Sequence, residues 1–264
     1  MSKIELRDVV ASQKGAIHQS FSQIPVLERV KVGWQVFKLQ STLIFSHKFI
    51  WFMVGVAAYL ALMYAINYNE DMRGRLDQED IIYILIFPVL IFSIFLNMQL
   101  VTSEKENRTL EIMFTTAGSR YKVWLIKSAC LSLVLFGLSV FISAVAFFTF
   151  TEMQIFMTGF YMFIPGIFIG NLTLYFATRF RSGLAAGMVA GLFVFLFLMF
   201  QEPLEDANLH RFMLFFNPFD PPRRIDPETW QIWTWQNKIG YLAASLGLVF
   251  AAIRGMEDRE RLLR

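Results

Sequence analysis

Four stretches of this chain, Phe49 to Tyr68, Ile81 to Val101, Ser128 to Phe150 and Ile155 to Ala177, each run about 20 residues without an acidic or basic side chain. A helix rises about 1.5 Å per residue and a bilayer's hydrocarbon core is about 30 Å thick, so each stretch has the length of one crossing. Gly183 to Phe200 is shorter but uniformly apolar. A sixth span is drawn from Trp233 to Ile253, taking in Gln236, Asn237 and Lys238 at its outer end. There Lys238 is expected to snorkel to the interface. Strand-period alternation is absent, which argues against a β-barrel. With 56% hydrophobic residues and 17% charged, the chain does not read as a soluble domain. These features predict an all-α, polytopic membrane protein with six transmembrane helices, residues 49–254, preceded by a tail, 1–30, and an amphipathic interfacial helix, 31–48. A polar region, 103–127, lies between the second and third spans, an outer segment, 201–236, between the fifth and sixth, and a short tail, 255–264, at the end.

Charge sets the expected orientation. With the N-terminus inside, eighteen of the 24 lysines and arginines fall on one side of the six spans, while the opposite loops carry Glu70, Asp71, Asp77, Glu79, Asp80, Glu202, Glu205 and Asp206. The positive-inside rule then places both termini and the 103–127 region in the cytoplasm, in a cell inner (cytoplasmic) membrane. The formal net charge of +3 is a topology signal and not a nucleic-acid footprint, because the basic residues are divided among short loops. The first 48 residues are polar and basic, so no cleavable signal peptide is expected and the first span directs insertion. The single cysteine, Cys130, has no intrachain partner and reads as a small packing residue.

The chain shows no chemistry of its own. It has no Gly-rich loop followed by Lys and Ser or Thr, hence no P-loop ATPase, and no Gly-x-Ser-x-Gly elbow. His18, His47 and His210 are far apart in sequence, which disfavours a metal site. No catalytic residue, cofactor or metal ligand is assigned, and the chain is expected not to be an enzyme by itself. The first five spans also carry no charged residue of the kind that marks proton relays. Their polar groups, Asn97 and Gln99 in the second and Asn171 in the fourth, bond neighbouring helices or line a substrate path. Pro88 and Pro165 remove amide donors inside the second and fourth spans. Gly183, Gly187 and Gly191 recur at four-residue intervals beside Ala186 and Ala190, a flat face for packing within the chain or against a second copy; Gly166 and Gly170 make a weaker example.

Two amphipathic elements remain. Val32, Val36, Leu39 and Leu43 recur at helical spacing ahead of the first span, with Lys31, Lys38 and Lys48 elsewhere around the helix. In the polar region, a helix over Ser103 to Thr115 would set Glu104, Arg108 and Glu111 in a ladder of alternating charge and Leu110, Met113 and Phe114 on another face. The order Glu-x-Glu, Thr-Leu-Glu, two apolar residues, a Thr-rich turn and Ser-Arg, at Glu104, Glu106, Thr109, Leu110, Glu111, Ser119 and Arg120, resembles the coupling region of type-2 ABC export permeases. Family members often have Gly before the Thr-Leu-Glu and Pro in the following turn, where this chain has Arg108 and Ala117. The resemblance covers about Val30 to Arg254 and includes the interfacial helix, the six crossings and the long outer segment.

That resemblance implies a permease subunit that pairs with a second permease copy or homologue and is driven by cytosolic ATP-binding cassette ATPase subunits, which hold ATP and Mg; a periplasmic companion is compatible with it. The competing expectation is a noncatalytic membrane scaffold or accessory assembly subunit. In the outer segment, Leu209, Phe212, Met213, Phe215 and Phe216 are too apolar for a free loop, while Pro218, Pro221, Pro222 and Pro227 forbid one continuous helix. Short pieces dipping into the interface are expected, with Phe215 and Phe216 as candidates for a gate and Trp230, Trp233 and Trp235 as an interfacial belt.

Overall fold

The structure, a computed structural model, describes residues 47–69, 78–106, 120–180, 182–222 and 224–255. The tail 1–30, the interfacial helix of 31–48 apart from its last two residues, and the final residues 256–264 therefore lie outside the described part. The described residues form seven α-helices, one 3-10 turn and no strand. In chain order these are α1 (His47–Asn69), α2 (Gln78–Glu106), α3 (Arg120–Thr149), α4 (Ile155–Arg179), α5 (Gly183–Met199), α6 (Gln201–Asp206), the 3-10 turn His210–Phe212, and α7 (Pro227–Gly255). Five of them, α1, α2, α3, α4 and α7, are long and apolar enough to cross a membrane, whereas α5 has 17 residues.

Each helix begins and ends close to where its apolar run does, because such a run offers the backbone no competing polar partner until charged or turn-forming residues appear. Three helices overrun their apolar cores, among them α3, which begins at Arg120, eight residues ahead of Ser128. The second continues through Ser103 and Glu104 to Glu106, so those residues extend a spanning helix and do not start a separate one. The last begins six residues ahead of Trp233, at Pro227, where the fixed backbone of proline suits a first helical position. Asp226 Oδ2 accepts from the amides of Glu228 and Thr229 and caps it.

The fourth helix is the hub of the bundle, packed against α2, α3, α5 and α7. Its glycines at 159, 166 and 170 explain how. A Cβ on Gly159 would lie 2.9 Å from the Cα of Val140 in α3, and one on Gly166 would lie 3.0 Å from Val89 in α2. A Cβ on Gly170 would overlap the side chains of Ser93 and Asn97. Small residues at these contacts let backbones approach and gain dispersion that lipid could not otherwise match. The small-residue row of α5 matters less within the chain. Gly187 faces Met98 Sδ and Ile94, but Gly191 has nothing within 4 Å, and the buried positions on that helix are Gly183, Ala186 and Ala190. The closest approaches thus lie on α4, at positions including the pair Gly166 and Gly170.

The first helix stands apart from this hub. Its large apolar side chains, Trp51 and Leu62 among them, are mostly exposed. Its ties run mainly to α2, where Phe52 packs on Phe92 with ring centroids 4.6 Å apart and the Tyr59 hydroxyl donates to the Ile84 carbonyl at 3.0 Å, and Tyr64 packs edge-on to Phe150 just after α3.

Candidate functional site

Polar groups in an apolar bundle must find partners, so their hydrogen bonds show what they can do. At the centre, Ser93 Oγ of α2 donates to the Gly166 carbonyl of α4 at 2.5 Å, and Asn97 Nδ2 donates to the Ser93 carbonyl one turn back. On the other side of α4, Asn171 Nδ2 donates to Ser245 Oγ of α7 at 2.6 Å, and Ser245 in turn reaches the Ile167 carbonyl. Asn97 and Asn171 are therefore buried and engaged, one along its own helix and the other across to α7. Gln99, two residues after Asn97, is half-buried. The structure does not bring these three amides into one polar cluster.

A second concentration of polar groups lies where residues 200–226 fold over one end of the bundle. After α6, Asn208 adopts a left-handed conformation with φ 53, which turns the chain back toward the 3-10 turn. From Arg211 to Pro218 the backbone carbonyls take donors from the side chains of one helix. Asn237 Nδ2 donates to the carbonyls of Arg211 and Met213, Tyr241 Oη to that of Phe212, Lys238 Nζ to that of Phe216 and Trp230 Nε1 to that of Pro218. All four side chains belong to α7.

Lys238 departs from expectation. It does not snorkel; its side chain is 1% exposed, among the largest fully buried ones. Its ammonium lies 5.3 Å from the Tyr161 ring and 5.5 Å from the Phe216 ring, a position that offers the cation two aromatic faces besides the carbonyl. The segment packed over it contributes to this: Lys238 Nζ donates to the Phe216 carbonyl at 3.2 Å, and residues 213–217 are themselves buried. Asn237 beside it is 2% exposed, and its Oδ1 has no hydrogen-bond partner among the described residues. In the sequence, an Asn-Lys pair at the edge of an apolar run was legible as a polar border; the nearby prolines and phenylalanines were the signal that something packs on it.

Phe215 and Phe216, the gate candidates, are both buried and face different surroundings. Phe215 joins Leu214 in an apolar cluster with Ile86 and Leu90 of α2 and Ile169 and Leu172 of α4. Phe216 stacks on Trp230 with centroids 4.5 Å apart, beside Met213. His210, also buried, lies between Trp230 and Trp233. Two of the three tryptophans expected in an interfacial belt, Trp230 and Trp233, thus pack within this cap, while Trp235 is exposed.

Of the residues assigned to coupling, Glu104 and Glu106 have their backbone in the last turns of α2, and Arg120 is the first residue of α3. Arg108, Thr109, Leu110, Glu111 and Ser119 lie outside the described residues. Among the described residues no group of three or more His, Cys, Asp or Glu side chains is placed to hold a metal ion. No protein-family model, no curated protein and no solved structure matches this chain.

Proposed function

We propose that the chain is the permease subunit of an ATP-binding cassette exporter, with α5 as a sixth and short crossing, both termini in the cytoplasm of a cell inner membrane, and a second permease copy or homologue beside it. The observation that carries this is the ordered set Glu104, Glu106, Thr109, Leu110, Glu111, Ser119 and Arg120, set between two helices of membrane length. Acidic and basic residues interspersed with apolar ones between two membrane-length helices suit docking to a soluble partner, and the sequence has no P-loop with which to hydrolyse ATP. Cytosolic ATPase subunits holding ATP and Mg would bias the bundle between inward-open and outward-open states through that connection. The apolar, charge-poor spans suit a hydrophobic or peptidic cargo better than a small ion.

The test is purification of the full-length chain at native levels, followed by identification of what comes with it. An ATP-binding cassette ATPase is expected, and its ATPase rate should lose its dependence on the permease when Glu104→Lys and Glu111→Lys are combined. A stable complex containing no ATPase overturns the proposal. That outcome would favour a noncatalytic membrane scaffold, a reading that draws on the engagement of Asn97, Asn171, Phe215 and Phe216 in packing and hydrogen bonds.

A further inference from the structure

Three helices meet a basic residue where their apolar runs stop at the end of the bundle opposite residues 200–226. The run of α3 starts just after Lys127, that of α4 ends at Ala177, two residues before Arg179, and that of α7 ends at Ile253, just before Arg254. Packing brings these three exits together. Trp124 of α3, Ala177 of α4 and Ile253 of α7 share one buried cluster. A Cβ on Gly255 would lie 3.6 Å from Thr178 Oγ1, so the immediate neighbours of Arg254 and Arg179 lie against one another. The Arg179 guanidinium sits 4.5 Å from the Tyr175 ring, which holds it beside the last apolar turn of α4, and the Lys127 ammonium sits 5.6 Å from the Trp124 ring. Lys127 is buried, whereas Arg179 and Arg254 are exposed. Among the described residues no carboxylate pairs with either arginine.

We propose that this rim holds the phosphate headgroup of one anionic phospholipid, with Arg179 and Arg254 contacting it and Lys127 adding positive charge beside the same buried cluster. Cations gathered from three helices repel one another, and an anion among them removes that repulsion. Guanidinium groups suit the task because their paired donors match two phosphate oxygens at once. A lipid fits the rim better than a soluble anion does. Leu125 and Ile126 of α3 and Phe180 after α4 are exposed apolar side chains next to the basic ones, so acyl chains can lie along them while the headgroup meets the arginines. Basic pockets between spanning helices hold anionic headgroups in this way. The site belongs to the chain alone and does not rest on the transport reading.

Native mass spectrometry of the purified full-length chain, released from micelles holding equal phosphatidylglycerol and phosphatidylcholine, tests this. One phosphatidylglycerol should survive activation that strips phosphatidylcholine. Its occupancy should fall about tenfold in Arg179→Gln/Arg254→Gln, with melting and size-exclusion profiles reporting that the variant is folded. Each single substitution should give a smaller loss, which keeps the test open if the pair does not fold. Arg179→Lys/Arg254→Lys should retain much of the binding, and Arg211→Gln/Arg224→Gln at the opposite end should leave it unchanged. Equal retention of the two lipids, or undiminished phosphatidylglycerol in the folded glutamine variants, overturns the proposal. Displacement of the lipid by millimolar inorganic phosphate also overturns it, because the rim would then be a site for a soluble anion.

Discussion

The Tyr59 hydroxyl of α1 donates to the Ile84 carbonyl of α2 at 3.0 Å, and Ile84 is the residue whose carbonyl Pro88 leaves open four positions on. A proline inside a helix withdraws one donor, and in apolar surroundings that acceptor must be met from elsewhere. Here a neighbouring helix meets it, so the proline gives an otherwise loosely held α1 a directed attachment. Tyr59→Phe should destabilise the protein by about 1 kcal/mol, and by less in a Pro88→Ala background, where the backbone N–H restored by the substitution satisfies the Ile84 carbonyl within the helix. A double-mutant cycle on detergent-purified protein, read by thermal unfolding, measures the coupling.

The glycines of α4 and α5 should respond to substitution in opposite ways. Gly170→Ala drives a methyl group into Ser93 and Asn97, which are themselves pinned by hydrogen bonds, and should cost about 1–3 kcal/mol or more. Gly191→Ala meets nothing and should be neutral or slightly stabilising. Melting temperatures of the two variants, followed by size-exclusion chromatography after heating, check the order. Equal losses would show that the α5 row packs against something outside this chain.

The tie between Asn171 and Ser245 should contribute modestly. Hydrogen bonds between helices in membranes average about 0.6 kcal/mol and reach about 1.7, because the separated helices find other partners. Ser245→Ala should fall in that range, and Asn171→Leu should cost more because its side chain lies in a packed interior. Unfolding in a graded denaturing detergent checks both values.

Tryptophan emission should report which faces meet lipid. Trp51 is 76% exposed on α1 and Trp124 is 4% exposed where α3 meets α4 and α7. In vesicles containing acyl chains brominated at mid-depth, Trp51→Phe should remove much more of the quenchable emission than Trp124→Phe. An equal loss would place another protein surface over α1.

Trp230 should prove the most costly residue of the cap. Its ring stacks on Phe216 and packs edge-on to His210 while its indole nitrogen holds the Pro218 carbonyl. Trp230→Ala should destabilise by about 3–5 kcal/mol, against about 1 kcal/mol for Trp230→Phe, which keeps the stack and loses the hydrogen bond. Chemical denaturation of the two variants separates the ring's share from the nitrogen's.

The sequence by itself determined where the helices run. Phe49 to Tyr68 became His47–Asn69, and Ile155 to Ala177 became Ile155–Arg179, because an uninterrupted apolar run of that length has no stable form but a helix once water is excluded. It also determined that the outer segment is not one continuous helix, since Pro218, Pro221 and Pro222 interrupt it; the break at Asn208 was not legible from proline. What the tertiary structure decided was the rotation of each helix and the choice of its neighbours. When all faces of a helix are apolar, periodicity no longer separates the side that meets protein from the side left exposed, so Gly166 and Gly170 could not be ranked above Gly187 and Gly191 from spacing alone. Lys238 shows the same limit. Whether a lysine near a helix end reaches water or is sealed beneath a carbonyl and two rings depends on what packs over it. That covering segment, 213–217, is distant in sequence and reaches Lys238 only once the chain has turned at Asn208 and seated on α7.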